Sequence, residues 1–255
     1  MPMLNLIIFL FGLAVGSFLN SIVFRYNTGE RVTKGRSRCF NCGKELSWAE
    51  LIPVLSFLIQ RGKCKNCSSK ISWQYPAGEF LTGILFLAFF IEWQKKFFDR
   101  PALLVFWFLI AAFLILITLY DVKHKIIPDS FSYSFLALAF LSKFIFFEIN
   151  LLDLFLSLLP ALFLFCLWFF SRGRWMGLGD AKLMIGGGIF LGFPGSIYAV
   201  LLGFWIGAIF GILLLLGSSG ITIKSEIPFG PFLVLGIIFA FLFPDFLNYF
   251  NFFYA

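Results

Sequence analysis

Eight apolar segments dominate this sequence of 255 residues, and most of them are long enough to cross a lipid bilayer. A transmembrane helix needs about 20 predominantly apolar residues. Hydrophobic residues make up 60% of the chain and charged residues only 13%, whereas soluble domains are about 25% charged. We therefore predict an all-α polytopic membrane protein with about eight transmembrane helices. The predicted spans are residues 4–24, 78–94, 101–120, 131–147, 151–170, 181–193, 195–217 and 229–251.

Two features of the apolar segments affect how many of them are counted as spans. A Gly-Phe-Pro-Gly turn at residues 192–195 separates the sixth segment from the seventh, so the two are either separate spans or one broken pair. The total is therefore seven or eight. The first segment is expected to remain as a span rather than act as a signal peptide, because its basic residues follow the apolar run instead of preceding it.

The distribution of positive charge predicts which ends of the spans face the cytosol. Cytosolic loops of membrane proteins are enriched in Lys and Arg. With eight spans and an external N-terminus, sixteen of the twenty Lys and Arg residues fall in inner loops, and ten of them lie in residues 25–77. The other six are Lys123, Lys125, Arg172, Arg174, Lys182 and Lys224. The net charge of +7 therefore reports membrane topology, and no nucleic-acid partner is expected.

The polar loop 25–77 contains four cysteines in a metal-binding pattern. Cys39 and Cys42 form one C-x2-C knuckle, and Cys64 and Cys67 form a second one after 21 intervening residues. Two such knuckles supply the four thiolates of a closed tetrahedral zinc site. Disulfides and unrelated thiols are the alternatives, and a cytosolic loop disfavours disulfides. We predict one structural zinc ion, and we expect Cys166, in the fifth span, to be a small buried apolar residue.

Two aspartates lie where predicted spans meet basic loops on the cytosolic side. Asp121 follows the third span, and Asp180 ends the sequence Gly177-Leu178-Gly179-Asp180 before the sixth. A carboxylate drawn toward the centre of a span costs about 2.5–3.5 kcal/mol. Helix capping would explain Asp180 and, better still, Asp129, but the helix dipole disfavours Asp121 at a C-terminus. The residues alone leave a catalytic pair and structural roles both open.

An ordered series of motifs resembles the bifunctional type IV prepilin peptidases. In that family, Gly177-Leu178-Gly179-Asp180 corresponds to the GxGD motif of intramembrane aspartyl proteases. The similarity covers nearly the whole chain. It includes Gly16-Ser17-Phe18-Leu19-Asn20, both cysteine knuckles, Tyr75-Pro76 with Glu79, Asp121, Ile127-Pro128-Asp129, Ala181-Lys182 and Ile227-Pro228-Phe229-Gly230-Pro231.

The resemblance implies an endopeptidase of the bacterial inner membrane that acts at the cytosolic face. Asp121 and Asp180 would be its catalytic dyad, and Gly177, Gly179, Lys182 and Asp129 would support the motif. Its partners would be membrane lipid and prepilin or pseudopilin substrates, whose basic leader it removes. The family then methylates the new N-terminal amine with S-adenosylmethionine. A peptidase of the same fold without methylation is one alternative, and a proton-coupled transporter that uses both aspartates as a relay is another.

The sequence identifies no binding motif for the methyl donor. A G-x-G-x-x-G motif after a predicted strand is absent, so the donor site is assigned by resemblance to residues 25–77 and the adjoining span ends. We expect three parts, namely a first transmembrane helix (1–24), a cytosolic four-cysteine domain (25–77) and a membrane peptidase domain (78–255). Glu79 is either a polar group of the donor region or an anchor of the second span. Asn20 either touches substrate or packs, whereas Gly16 is expected to pack and His124, the single histidine, to be solvated.

Overall fold

The computed structural model describes residues 2–28, 36–217 and 226–244. Within these ranges the chain forms ten α-helices, one short 3-10 helix at Trp48–Leu51 and two isolated β-bridges, without a β-sheet. The all-α prediction is confirmed. The helices are α1 (Pro2–Arg25), α2 (Leu55–Ile59), α3 (Gln74–Lys96), α4 (Pro101–His124), α5 (Asp129–Phe146), α6 (Leu151–Ser157), α7 (Leu159–Ser171), α8 (Leu178–Leu191), α9 (Gly195–Gly217) and α10 (Gly230–Leu242).

Every predicted span coincides with one helix or with a pair of helices. Six of the eight are long and apolar enough to cross a membrane, namely α1, α3, α4, α5, α9 and the continuous run of α6 and α7. The other two are shorter, because α8 has 14 residues and α10 has 13 within the described range. The protein is therefore a multi-pass membrane protein. Lys224 and the end of the eighth predicted span lie outside the described residues.

Residues 1–119 form one compact unit, in which α1 packs closely along α3. A Cβ atom added to Gly16 would lie 2.7 Å from Cα of Glu79, and one added to Gly12 would lie 2.8 Å from Cα of Gly83. Small residues let helix backbones approach in this way, so the packing role predicted for Gly16 is confirmed. Asn20 is fully buried and its Nδ2 donates to the carbonyl of Tyr75 at 3.0 Å, which ties α1 to the start of α3.

Residues 120–255 form a second compact unit, in which α8 packs against several neighbours. Three consecutive glycines of α8 give these neighbours close access. A Cβ atom at Gly186 would lie 2.7 Å from the ring of Phe135 in α5, and one at Gly187 would lie 2.8 Å from Ile237 in α10. Gly188 faces the carbonyl of Ser157 at the end of α6. The short helix α8 is thereby fixed on several sides, and it carries Asp180 in its first turn.

Candidate active site

Asp121 lies in the last turn of α4 and is almost completely buried. Its side chain is 4% exposed, and its Oδ2 accepts the backbone N–H of Gly230 at 3.0 Å. A buried carboxylate is costly unless it receives hydrogen bonds. Gly230 begins α10, where the first N–H groups have no partner within the helix. The N-terminus of α10 thus supplies a hydrogen bond that the buried carboxylate needs.

Asp180 is the third residue of α8 and is 7% exposed. Its Oδ2 lies beside Gly177, 3.5 Å from where a Cβ atom added to that glycine would lie, and the N–H of Asp180 donates to the carbonyl of Gly177 at 3.3 Å. The N-cap of α8 is Gly177, and the N-cap of α5 is Pro128. The capping interpretation of Asp180 and Asp129 is therefore wrong, because each aspartate already lies inside its helix.

The fold brings these two buried carboxylates close enough for their charges to interact. Ile127 packs against the backbone beside each of them. A Cβ atom added to Gly179 would lie 2.9 Å from Cβ of Ile127, and one added to Gly230 would lie 3.1 Å from its Cδ1. Within the described ranges, no Lys or Arg forms an ion pair with either aspartate. The site is a pair of interacting carboxylates held by backbone groups and an apolar side chain.

Lys182 and Asp129 form an ion pair beside this site. Nζ of Lys182 lies 2.6 Å from Oδ1 of Asp129 and 5.6 Å from the ring centre of Tyr133. Because Asp129 begins α5 and Lys182 lies in the first turns of α8, the pair joins the starts of two helices that pack together. The exposed His124 stacks on Tyr120 with ring centres 4.4 Å apart.

The four predicted metal ligands come together in the loop between α1 and α3. The Sγ atoms of Cys39, Cys42, Cys64 and Cys67 all lie within 4.8 Å of one another, and those of Cys39 and Cys67 are 3.9 Å apart. Zinc–sulfur bonds of about 2.3 Å in a tetrahedron require sulfur atoms about 3.8 Å apart. All four are free thiols, and so is the half-buried Cys166 in α7. The four thiols fit a metal ion.

The two cysteine knuckles repeat the same backbone geometry. The N–H of Gly43 donates to the carbonyl of Cys39, and the N–H of Ser68 donates to that of Cys64, both at 2.9 Å. Gly43 and Ser68 also share a positive φ, +72° and +57°, a backbone conformation of tight turns that favours glycine. Hydrogen bonds from the hydroxyl and backbone of Ser69 and from the side chain of Asn41 lower the pKa of Cys67 to about 5. The surroundings of Cys67 therefore favour the thiolate form that binds metal.

Comparison with known proteins is consistent with this arrangement. The chain is 33% identical to the prepilin leader peptidase/N-methyltransferase of Bacillus subtilis over 244 residues, which cover 94% of both chains. It is 32% identical to the protein of the same name from Myxococcus xanthus over 230 residues, 88% of this chain and 67% of the relative. The chain belongs to the type IV leader peptidase family. A Pseudomonas aeruginosa relative of the same name is 31% identical over 92% of this chain and 89% of its own.

Two family models divide the chain between the two sites. The model described as "Type IV leader peptidase family" matches residues 108–212, which include Asp121 and Asp180. The model described as "Bacterial Peptidase A24 N-terminal domain" matches residues 10–93, which include the four cysteines and Glu79. No solved structure matches the chain.

The contact between Gly230 and Asp121 was not foreseen from the sequence. The two residues are 109 positions apart, and Gly230 lies beyond the range of the leader peptidase model. The available signal was the segment Pro228-Phe229-Gly230-Pro231, which interrupts the entry to the last predicted span. Broken helices in membrane proteins occur where they line a cavity or site, but the pattern alone does not name Asp121 as the partner.

Proposed function

We propose that this protein cleaves the basic leader from prepilins or pseudopilins at the cytosolic face of the bacterial inner membrane and then methylates the new N-terminal amine. The observation that carries the proposal is the pair of buried, interacting carboxylates of Asp121 and Asp180 in a member of the type IV leader peptidase family. The names of the relatives from Bacillus subtilis and Myxococcus xanthus support both activities.

In the proposed cleavage, Asp121 and Asp180 act as a dyad that shares one proton, because two nearby carboxylates do not ionise independently. The ionised carboxylate takes a proton from water, which attacks the scissile carbonyl. The protonated carboxylic acid donates a hydrogen bond to the carbonyl oxygen and stabilises the negative charge that develops there. The tetrahedral intermediate then collapses, and the leaving amine receives a proton from the dyad. The hydrogen bond from Gly230 keeps Asp121 oriented throughout.

The charge pattern of the chain supports a cytosolic site. Asp121 and Asp180 each adjoin loops that carry Lys or Arg, such as Lys123, Lys125, Arg172 and Arg174, and such loops stay on the cytosolic side. A basic leader would be attracted to the anionic inner surface, while the apolar helix that follows it remains in lipid. The scissile bond, between the leader and the apolar helix, then lies at the depth of the helix ends. The aspartates of α4 and α8 lie at such helix ends.

For the four-cysteine cluster we assign a single structural zinc ion. Four thiol ligands complete a tetrahedral site and leave no open position for substrate. Zinc would fix the two knuckles and thereby the loop 25–77, which we assign to methyl transfer together with the adjoining helix ends. S-adenosylmethionine would supply the methyl group. Residues 78–255 would contain the peptidase, and residues 1–24 the first transmembrane helix.

Removing two ligands of the metal cluster should separate the two activities. We expect the double variant Cys42→Ser/Cys67→Ser to lose bound zinc and methyl transfer, because the knuckles lose the ion that holds them together. Leader cleavage should persist, since both aspartates belong to residues 120–255. Metal content, together with the mass of the processed prepilin, measures these effects. The control is Cys166→Ser, outside the cluster. Full zinc content in the double variant would contradict the assignment.

A single reaction tests the function as a whole. The purified protein, reconstituted in lipid, is incubated with a prepilin and isotopically labelled S-adenosylmethionine, and the product is measured by mass spectrometry. The expected product has lost its leader and gained one labelled methyl group on its N-terminal amine. An intact prepilin after full incubation would rule out the peptidase. A cleaved but unmethylated product would limit the protein to leader removal.

A further inference from the structure

A cavity of about 470 Å³ lies in the unit formed by residues 1–119. Its walls come from the C-terminal end of α1, the four-cysteine loop, α2 and the start of α3. Binding sites for small molecules and cofactors have volumes of about 300–1,000 Å³. Cys39 and Cys64 contribute to the wall, so the metal cluster shapes the cavity without opening a coordination position to it.

One of two buried carboxylates that line the cavity is fully satisfied by its neighbours. Glu50 is 7% exposed, and its Oε2 accepts the backbone N–H of Ser47 at 2.9 Å and the Ser47 hydroxyl at 2.8 Å. Nζ of Lys44 lies 3.3 Å from its Oε1. The hydrogen bonds from Ser47, with that of Lys44, lower the pKa of Glu50 to about 2. Glu50 therefore has its own cation and closes the capping box of the 3-10 helix.

The other carboxylate, Glu79, has a backbone hydrogen-bond donor but no partner cation among the described residues. It is 7% exposed, and its Oε2 accepts the backbone N–H of Val54 at 2.7 Å. Among the described residues, no Lys or Arg forms an ion pair with it. Buried charges in proteins are normally paired. Arg25, Arg38 and Lys70 also line the cavity, but none of them forms an ion pair with Glu79. A buried carboxylate that lines a cavity and forms no ion pair is suited to a positively charged ligand.

Aromatic rings form another part of the same wall. Phe24 stacks on Tyr75 with ring centres 4.6 Å apart and planes within 4° of parallel, and Phe40 lies 5.7 Å from Phe24. Aromatic faces attract cations and planar rings. A methyl donor with a sulfonium centre and an adenine ring has both. The cavity therefore offers an aromatic surface for the donor and a separate carboxylate for a second cation.

From this arrangement we infer that the cavity binds the methyl donor and that Glu79 binds the α-ammonium group of the cleaved substrate. The inference rests on the proposed methyl transfer and deepens it by assigning the amine-binding residue. Glu79 lies in the second turn of α3, about 8 Å along the helix axis from its start at a rise of 1.5 Å per residue. A substrate that begins directly with an apolar helix presents its ammonium at a similar depth, just inside the apolar layer.

The carboxylate of Glu79 also accepts the proton that the substrate ammonium must lose before methylation. An ammonium has no lone pair, so it must lose one proton before it can form a bond. Glu79 accepts that proton, and the neutral amine nitrogen then bonds to the methyl carbon as the carbon–sulfur bond breaks with its electron pair left on sulfur. The product is a methylated ammonium, and the proton held by Glu79 passes to water. Charges and atoms balance without another reactant.

A purely structural role for Glu79 would rest on its hydrogen bond to Val54. Val54 has a φ of +60° directly before α2, an unusual conformation for a β-branched residue, and the hydrogen bond to Glu79 helps to hold it. Glutamine has the same shape and a side-chain oxygen that accepts the same N–H. The variant Glu79→Gln therefore removes the charge and the proton-accepting group but keeps the structural hydrogen bond, which separates the two roles.

The test compares Glu79→Gln with Glu92→Gln, a change at another buried carboxylate of the same helix. Glu92 is 8% exposed and pairs with Lys96 at 2.7 Å, away from the cavity. Methylation of a cleaved pilin should fall by about 10²-fold or more in Glu79→Gln, as expected for loss of a general base, and stay normal in Glu92→Gln. Leader cleavage and zinc content should be unchanged in both, which reports correct folding.

Binding supplies a readout that does not depend on turnover. A fluorescent peptide that begins with Phe and continues as an apolar helix is titrated in nanodiscs with the amine free or acetylated. The wild-type protein should bind the free amine about tenfold more tightly, as expected for a charge-assisted hydrogen bond, and Glu79→Gln should lose this preference. Binding of S-adenosylhomocysteine should be unchanged. If Glu79→Gln still prefers the free amine, or still methylates normally, the inference is wrong. If the wild-type protein fails to methylate, the proposed function is wrong, and the preference for the free amine still tests whether Glu79 binds the ammonium group.

Discussion

Replacing either Asp121 or Asp180 with asparagine should strongly slow leader removal. The expected loss is about 10²–10⁴-fold in rate, the usual contribution of a general acid or base. Asparagine keeps the size of the side chain and an oxygen that still accepts the N–H of Gly230, so the fold around α4 and α10 should persist. It neither takes a proton from water nor donates a carboxylic acid proton to the carbonyl. Each single variant therefore lacks half of the dyad.

The measurement is cleavage of a prepilin by the protein reconstituted in lipid, followed by the mass of the product. Asp99→Asn is the matched control, because the side chain of Asp99 is 78% exposed and lies in residues 1–119. Methylation of a substrate supplied without its leader should continue in both Asp121→Asn and Asp180→Asn, since the cavity and its carboxylates belong to residues 1–119. Cleavage at the normal rate by both single variants would contradict the aspartyl mechanism.

The spans and the metal cluster follow from sequence because each depends on local composition. An apolar run must form a helix in lipid, since its backbone groups have no other partners there, and each of the eight predicted segments is mainly helical where the structure describes it. Likewise, two C-x2-C knuckles bring their own turn geometry, and Gly43 and Ser68 mark its position. Neither feature needs information about which distant helices pack together.

The sequence pattern does not predict which helices, distant along the chain, contact each other. The helical signal for α4 stops near residue 120 because polar residues follow, yet the helix continues to His124 and places Asp121 inside its last turn. Asp129 and Lys182 are 53 residues apart, and their ion pair depends on how α5 packs against α8. The same applies to Ile127, whose contacts beside Gly179 and Gly230 exist only in the folded unit. Hydropathy predicts which segments cross the bilayer but not which helices pack against one another.

Adding a single methyl group at Gly230 should reduce cleavage by about 10²-fold, the effect expected when a catalytic group is displaced by about 1 Å. In Gly230→Ala the new Cβ would lie 2.6 Å from Oδ2 of Asp121 and 3.1 Å from Cδ1 of Ile127. The first distance is shorter than any ordinary contact, so the carboxylate must move. Alanine retains the backbone N–H, and the change therefore tests the position of Asp121 rather than the loss of its hydrogen bond.

Gly211→Ala is the control for the effect of alanine itself. Gly211 lies in α9, and a Cβ atom added there meets nothing within 4 Å. This variant should cleave normally and gain up to about 1 kcal/mol of helix stability. In Gly230→Ala we expect kcat to fall while KM for the prepilin, zinc content and methylation of a substrate without its leader stay unchanged. A variant in which kcat, zinc content and methylation all fall and KM rises would indicate general misfolding. A normal kcat would show that the N-terminus of α10 does not position Asp121.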